Sequence, residues 1–264
     1  MSASGIVTLT TDFGAADGYL GEMKGVLLSR CRGAVLVDLA HDLAPGDVRA
    51  AAFLLARAAP LFPAGTVHLA VVDPGVGTAR RELALRCGEQ LFVGPDNGSF
   101  AAVAVARGVA AAHALANRAL FRAEVSPVFH GRDIFAPVAA HLAAGGALAD
   151  VGPALAPESL VGLDLPEVVE SDGALRGEVI HIDRFGNLVT NLAAPRDRAG
   201  ATVELADRRL ALARTYGDVQ PGGLVALVGS SGRIEIAANG ASAAAVLGAR
   251  AGLVVILRAP RESA

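Results

Sequence analysis

The feature that most restricts the fold of this chain is a change of rhythm near residue 155. Before it, short apolar, β-branched runs alternate with segments of helical spacing. Strand-like runs are Ile6–Thr11, Val35–Leu39, Thr66–Val72, Leu83–Arg86 and Gln90–Val93. Helical spacing marks Gly18–Leu28, with Leu20, Met23, Val26 and Leu27 on one side, a segment from Asp47 as N-cap to about Ala58, and Asp133–Ala144. Strands alternating with helices predict a mostly parallel sheet covered on both faces. After Pro153, Pro157 and Pro166 the helical spacing gives way to short runs between turns: Gly177–Ile182, Ala201–Leu205, Arg209–Ala213, Leu224–Val228, Arg233–Ile236 and Leu253–Leu257. That pattern predicts a small antiparallel barrel or sandwich. The expected organisation is therefore an α/β N-terminal domain over 1–156, a linker over 157–173, and a smaller all-β, barrel-like C-terminal domain over 174–264.

Composition narrows the partners. Hydrophobic residues make up 53% of the 264, enough for full cores, and the formal net charge is -3. The 23 basic residues form no cluster and there is no Trp, which argues against nucleic acid, whose phosphates and bases demand clustered cations and stacking platforms. No apolar run reaches the length of a membrane span, so no membrane partner is expected. The start, Met1-Ser-Ala-Ser-Gly5, lacks the basic and apolar regions of a signal peptide. With Cys31 and Cys87 read as buried thiols, the expected compartment is the cytoplasm.

In open α/β sheets ligands bind beyond the carboxyl ends of the strands. Two carboxylates stand there: Asp12 after the first strand and Asp73 after the third, each with a glycine two residues on. Either one alone could simply cap a turn; the pair points to a site. The Asp73-Pro-Gly-Val-Gly-Thr-Ala-Arg80 loop can close to set Arg80 against Asp73, keeping the carboxylate ionised, although a solvated surface pair is the plainer alternative. His130 precedes a helix, in Phe129-His-Gly-Arg-Asp133, where it faces either a pocket or its own core. The six histidines show no metal-ligand spacing, and no metal is expected. In the second part, polar residues crowd His181-Ile-Asp183-Arg-Phe-Gly-Asn187, where Asn187 offers a donor and an acceptor suited to an adenine edge or to a turn. Ser230 lies in a polar turn, and Glu235 interrupts an apolar strand.

Six segments together resemble the S-adenosyl-L-methionine (SAM) hydrolases, or SAM hydroxide adenosyltransferases, relatives of the fluorinase and chlorinase that make 5′-halo-adenosines. They are Thr10-Thr-Asp-Phe-Gly14, Gly21-Glu-Met-Lys-Gly25, Val71-Val-Asp-Pro-Gly-Val-Gly77, Gly94-Pro-Asp-Asn-Gly98, His130-Gly-Arg-Asp133 and Ile182-Asp-Arg-Phe-Gly-Asn187. The resemblance implies hydrolysis of SAM to adenosine and methionine without a cofactor. It also implies a homotrimer whose sites lie between one subunit's first domain and its neighbour's second. By position it implies that Asp73, Arg80 and His130 surround the attacking water, that Asp12 holds the ribose hydroxyls, and that Phe129 forms an aromatic wall. Asn187 and Tyr216 fall on the adenine side, and Asp183, Ser230 and Glu235 around the methionine. Where the fluorinase has an Arg near the methionine carboxylate this chain has Ser231, which leaves that carboxylate unassigned. Three alternatives remain at this stage: a halide adenosyltransferase forming 5′-chloro-5′-deoxyadenosine, a SAM- or adenosine-binding protein without turnover, and an α/β oligomer whose polar loops are purely structural.

Overall fold

The structure is a computed structural model that describes residues 3–195 and 200–258. The ends of the expected domains, 1–2 and 259–264, and the segment 196–199 lie outside the described residues. The chain divides into two compact units, Met1–Leu163 and Asp164–Ala264. The boundary falls inside 157–173, which is not bare linker: it carries a 3₁₀ turn, Pro157–Ser159, and a short strand, Val169–Ser171.

The first unit is built on six strands: β1 (Ile6–Thr11), β2 (Val35–Ala40), β3 (Val67–Val71), β4 (Glu82–Cys87), β5 (Gln90–Pro95) and β6 (Val109–Ala114), in the order β2-β1-β3-β5-β4-β6. The pairings β1–β2, β1–β3 and β3–β5 are parallel, whereas β4 runs antiparallel to both β5 and β6. The expectation of a mostly parallel sheet is therefore corrected to a mixed one. The reason is local: Cys87 pairs directly with Gln90 across a tight turn, and a link that short can join only antiparallel neighbours.

Among the described residues four α-helices cover the sheet: α1 (Tyr19–Arg30), α2 (Val48–Ala58), α3 (Ala101–Arg107) and α4 (Ala136–Ala143). Alternation along the strands sends side chains to opposite faces. Val67, Leu69 and Val71 of β3 join Leu20, Met23 and Leu27 of α1 and Val138, Ala139 and Leu142 of α4 in one core. Ala70 and Phe92 point the other way, to Leu55 of α2 and Val103 of α3. β3 is buried along its whole length, which makes it the strand best placed to hold a rigid loop at its end. The Asp47 side chain caps α2 as expected, accepting from Ala50 N at 2.9 Å.

The second unit closes into a barrel. Its strands are β7 (Val169–Ser171), β8 (Ala174–Ile182), β9 (Leu188–Ala193), β10 (Thr202–Leu205), β11 (Arg208–Ala213), β12 (Leu224–Val228), β13 (Arg233–Ala238) and β14 (Val254–Arg258), with a short helix α5 (Ala243–Leu247). The order β14-β10-β11-β12-β13-β9-β8 returns on itself through a β14–β8 pairing, and β7 adds to the first half of β8. Closure removes open edges. Ile234, Ile236 and Ala238 of β13 point into the barrel core, while Ala237 packs outside with Val225 and Leu227. Glu235 alternates with the inward residues and so belongs to the outer face. Among the described residues no helix is long and apolar enough to cross a membrane.

Candidate active site

In the first unit the polar residues collect at the carboxyl ends of β1 and β3, which lie side by side with Thr11 opposite Val71. The loop after β3 folds back so that Arg80 grips Asp73. Arg80 Nε donates to Asp73 Oδ1 at 2.9 Å and Oδ2 at 3.0 Å, and Nη2 donates to Oδ2 at 2.5 Å. Both side chains are sequestered, Asp73 5% and Arg80 9% exposed. Burial alone would lower the Arg80 pKa, but the hydrogen bonds and charge of Asp73, then those of Glu82, outweigh it and hold the guanidinium above its ordinary value. This is a shielded, multiply bonded pair, not the solvated surface pair that the sequence left open. The same Nη2 lies 2.9 Å from His130 Nδ1. The sequence-predicted trio Asp73, Arg80 and His130 is thus one hydrogen-bonded cluster.

His130 reaches the cluster from a π-helical turn, Gly131–Phe135, that leads into α4. Such turns insert a residue into the helical ladder and redirect what precedes them. Asp133 anchors the turn. It is fully buried, and it accepts from Ser126 N and from the guanidinium groups of Arg122 and Arg132. Burial acts to raise its pKa, yet these donors hold it below the ordinary carboxylate range. Gly77 docks the two halves: at φ 75° it adopts a left-handed conformation, and a Cβ there would collide with the Pro127 carbonyl. The Asp73–Arg80 loop therefore rests on the segment that carries Phe129 and His130.

Asp12 stands beside this cluster but is already engaged, accepting from Gly46 N at 2.7 Å through Oδ2. Gly46 in turn lies against Pro74, so the ends of β1, β2 and β3 meet at this corner. Phe129 forms an edge-to-face trio with Phe13 and Tyr19, at centroid distances of 5.9 and 5.4 Å, and Arg132 covers it at 4.8 Å. This aromatic surface adjoins the polar cluster through the Phe129–His130 backbone.

The second unit brings together four of its five predicted residues. Asp183 Oδ1 accepts from Phe185 N and Asn187 N, both at 2.9 Å, and Oδ2 accepts from Asn187 Nδ2 at 2.9 Å. Asp183 thus builds the turn that presents Asn187, with Gly186 at φ 82° completing it. Tyr216 Oη donates to Glu235 Oε1 at 2.8 Å. That hydrogen bond, followed by burial and the charges of Glu235 and Asp183, pushes the phenol up to about 12, so Tyr216 stays neutral. Register places Glu235 opposite Val189, two residues beyond Asn187. Ser230 is exposed in the turn between β12 and β13 and is the one predicted residue that makes no side-chain hydrogen bond to the others among those described.

Three participants escaped the sequence reading. Glu82 accepts from Arg80 Nη1 at 2.8 Å and lies 3.1 Å from His130 Nδ1. Its signal was available, because residues two apart on an extended segment share a side, and Glu82 follows Arg80 by two. Tyr19 completes the aromatic trio. Phe185, 76% exposed on the Asp183 turn, offers a bare aromatic face. Among the described residues no group of three or more His, Cys, Asp or Glu side chains is arranged to hold a metal ion.

Comparison with known proteins gives these features a context. The model of the SAM hydroxide adenosyltransferase N-terminal domain matches residues 7–152, and that of the C-terminal domain matches 177–256. A Salinispora tropica protein named (R)-S-adenosyl-L-methionine hydrolase is 47% identical, over 93% of this chain and 95% of that one. A fluorinase from an Actinoplanes species is 31% identical, over 97% of this chain and 98% of its own. The crystal structure of an uncharacterized conserved protein from Thermotoga maritima superposes with a TM-score of 0.89 at 37% identity, covering 96% of this chain and all of that one. The chain therefore belongs to the SAM hydroxide adenosyltransferase family.

Proposed function

We propose that this protein hydrolyses SAM to adenosine and L-methionine by in-line attack of water on ribose C5′. The observation that carries the reading is the buried Asp73–Arg80–His130 cluster at the strand ends, in a chain of this family. The sulfonium of SAM makes C5′ electrophilic, and methionine departs as a neutral thioether, so the leaving group needs no acid. The difficulty lies with the nucleophile, since bulk water has a pKa of ~15.7. Asp73 and His130 position the water and take its proton as attack proceeds, while Arg80 orients the cluster and stabilises developing hydroxide. General-base assistance of this kind contributes ~10²–10⁴-fold, and alignment of water, C5′ and sulfur adds to it. The chemistry as written uses no metal and no organic cofactor.

The binding roles belong to the same proposal. Asp12 holds the ribose hydroxyls and Phe129 walls the pocket. Asn187 and Tyr216 meet the adenine, and Asp183, Ser230 and Glu235 surround the methionine. Asp183 acts chiefly by building the turn under Asn187, which its bonds to Phe185 N and Asn187 support. We infer a homotrimer, each site joining the first domain of one subunit to the second of its neighbour, on the strength of the family resemblance. The cytoplasm is the proposed compartment, in keeping with the unpaired thiols of Cys31 and Cys87.

Halide transfer is disfavoured by charge. Two like unit charges ~4 Å apart at an effective dielectric near 20 cost about 4 kcal/mol. Glu82 adds a second carboxylate to that of Asp73, and Arg80 offsets only part of the two. Water bears no such penalty. The test is incubation with SAM in chloride and ¹⁸O-water. Equal yields of methionine and 5′-¹⁸O-adenosine are expected; 5′-chloro-5′-deoxyadenosine, or adenosine retention without methionine release, refutes the reading.

A further inference from the structure

The cluster contains a conflict that the water-activating role cannot tolerate. His130 Nδ1 faces two partners of opposite kind, Arg80 Nη2 at 2.9 Å and Glu82 Oε1 at 3.1 Å. A guanidinium only donates, and a carboxylate only accepts. If Nδ1 accepts from Arg80, the proton of a neutral imidazole must sit on Nε2. That nitrogen then has no lone pair, and the ring cannot take a proton from water. If Nδ1–H donates to Glu82, the lone pair lies on Nε2 and the ring is a base. The two contacts differ by little in length, so a small tilt of the ring exchanges one for the other. Asp73, on the far side of the guanidinium, already occupies Arg80 Nε and one hydrogen of Nη2.

We propose that Glu82 is a positioning residue that sets the tautomer of His130, holding the proton on Nδ1 so that Nε2 is free to act as base. The inference rests on the hydrolytic reading above. In the step itself a water oxygen forms the bond to C5′ and the C5′–S pair departs with sulfur. The water proton passes to Nε2, and the resulting imidazolium keeps its Nδ1–H on Glu82, whose charge stabilises it. The arrangement is the one in which a carboxylate orients a catalytic histidine through its other ring nitrogen. Fixation of Glu82 follows from Arg80 Nη1, which donates to the same Oε1 at 2.8 Å. Arg80 therefore serves both carboxylates, and without Glu82 it would be the sole polar neighbour of Nδ1 among the described contacts, locking the proton on Nε2.

The test reads the tautomer directly. Long-range ¹H–¹⁵N correlation spectra of ¹⁵N-histidine-labelled protein, taken well above the reference imidazole pKa of ~6.5, separate Nδ1–H from Nε2–H rings, and His130 is identified by the signal lost in His130→Asn. The expected result is Nδ1–H in the unmodified protein and Nε2–H in Glu82→Leu and Glu82→Ala, neither of which leaves an acceptor where Glu82 Oε1 stood. In both variants kcat for SAM should fall by about tenfold or more, with KM rising by a smaller factor as one carboxylate near the sulfonium is lost. An Nε2–H ring in the unmodified protein overturns the proposal, as does a ring that stays doubly protonated, an unchanged tautomer in the variants, or an unchanged kcat. Should Glu82→Ala fail to fold, the spectrum of the unmodified protein and the bulkier, acceptor-free Glu82→Leu decide. Absence of SAM turnover in the unmodified protein would instead refute the hydrolytic reading and leave the tautomer measurement standing.

Discussion

Asp73 and His130 differ in what they lose when altered. Asp73→Asn keeps the shape of the side chain but leaves Arg80 facing a neutral amide, and His130→Ala removes the ring altogether. Each should lower SAM turnover by ~10²–10⁴-fold while calorimetry shows SAM affinity changed far less, because neither is assigned to holding the nucleoside and Asp73→Asn removes only the charge attraction to the sulfonium. Full turnover in Asp73→Asn would remove Asp73 from the base. A second histidine makes a separate prediction. His68 is fully buried near the start of β3, with Nδ1 2.8 Å from Thr8 Oγ1 and its ring stacked on Phe92. Burial pushes its pKa down to about 4 from 6.5. The unfolded chain therefore binds the proton first as pH falls, so stability is full above about 6.5 and declines between there and about 4. At pH 5 the loss from this group should be about 2 kcal/mol relative to pH 7.5. Urea unfolding at the two pH values should show that difference shrinking in His68→Gln; an equal difference in both proteins would acquit the residue.

At the scale of elements, function depends on how one loop is docked. Gly77 lets the Asp73–Arg80 loop lie against Pro127, just ahead of Phe129 and His130. Gly77→Ala combines a left-handed backbone, costing ~1–2 kcal/mol for a residue with a Cβ, with a collision against a carbonyl. The expected outcome is a reduced melting temperature together with a kcat loss as Arg80 and His130 are pushed apart; a fully active, equally stable variant would show that the docking is immaterial. Much of this element plan was readable in advance. Period-2 and period-3.6 apolar spacing located β1, β3, α1 and α2, and aspartates at two strand ends located the corner. What escaped has physical causes. Ala101–Arg107 is a seven-residue, alanine-rich helix without a side-chain cap, and Val109–Ala114 is a strand of small residues with little contrast between its faces. Neither offers a periodicity to detect. The antiparallel edge is hidden because alternation with helices suggests parallel pairing, whereas the tight link from Cys87 to Gln90 imposes the opposite. Glu82 carries no signal of its own in the sequence beyond its spacing from Arg80, since what it faces is His130, forty-eight positions on, and only packing brings the two together.

The whole molecule is two units of different construction, a sheet sandwiched between helices and a closed barrel, each with its own polar cluster. The proposed homotrimer should appear as a single species of three times 26.6 kDa in light scattering, and mixing inactive Asp73→Asn with inactive Asn187→Ala subunits should restore part of the turnover if sites draw on neighbouring chains. A stable, active monomer would withdraw that assembly. The pairing of two carboxylates with a single guanidinium around His130 also bears on what happens after the reaction. With both acids ionised the cluster is negative by one charge, which favours a cationic sulfonium. Once the C–S bond breaks that cation is gone, and in the proposed step the proton captured by the imidazole cancels the negative excess. On the proposed mechanism neither adenosine nor a thioether then has any electrostatic reason to stay, and a site so charged would tell reactant from product and clear itself between turnovers.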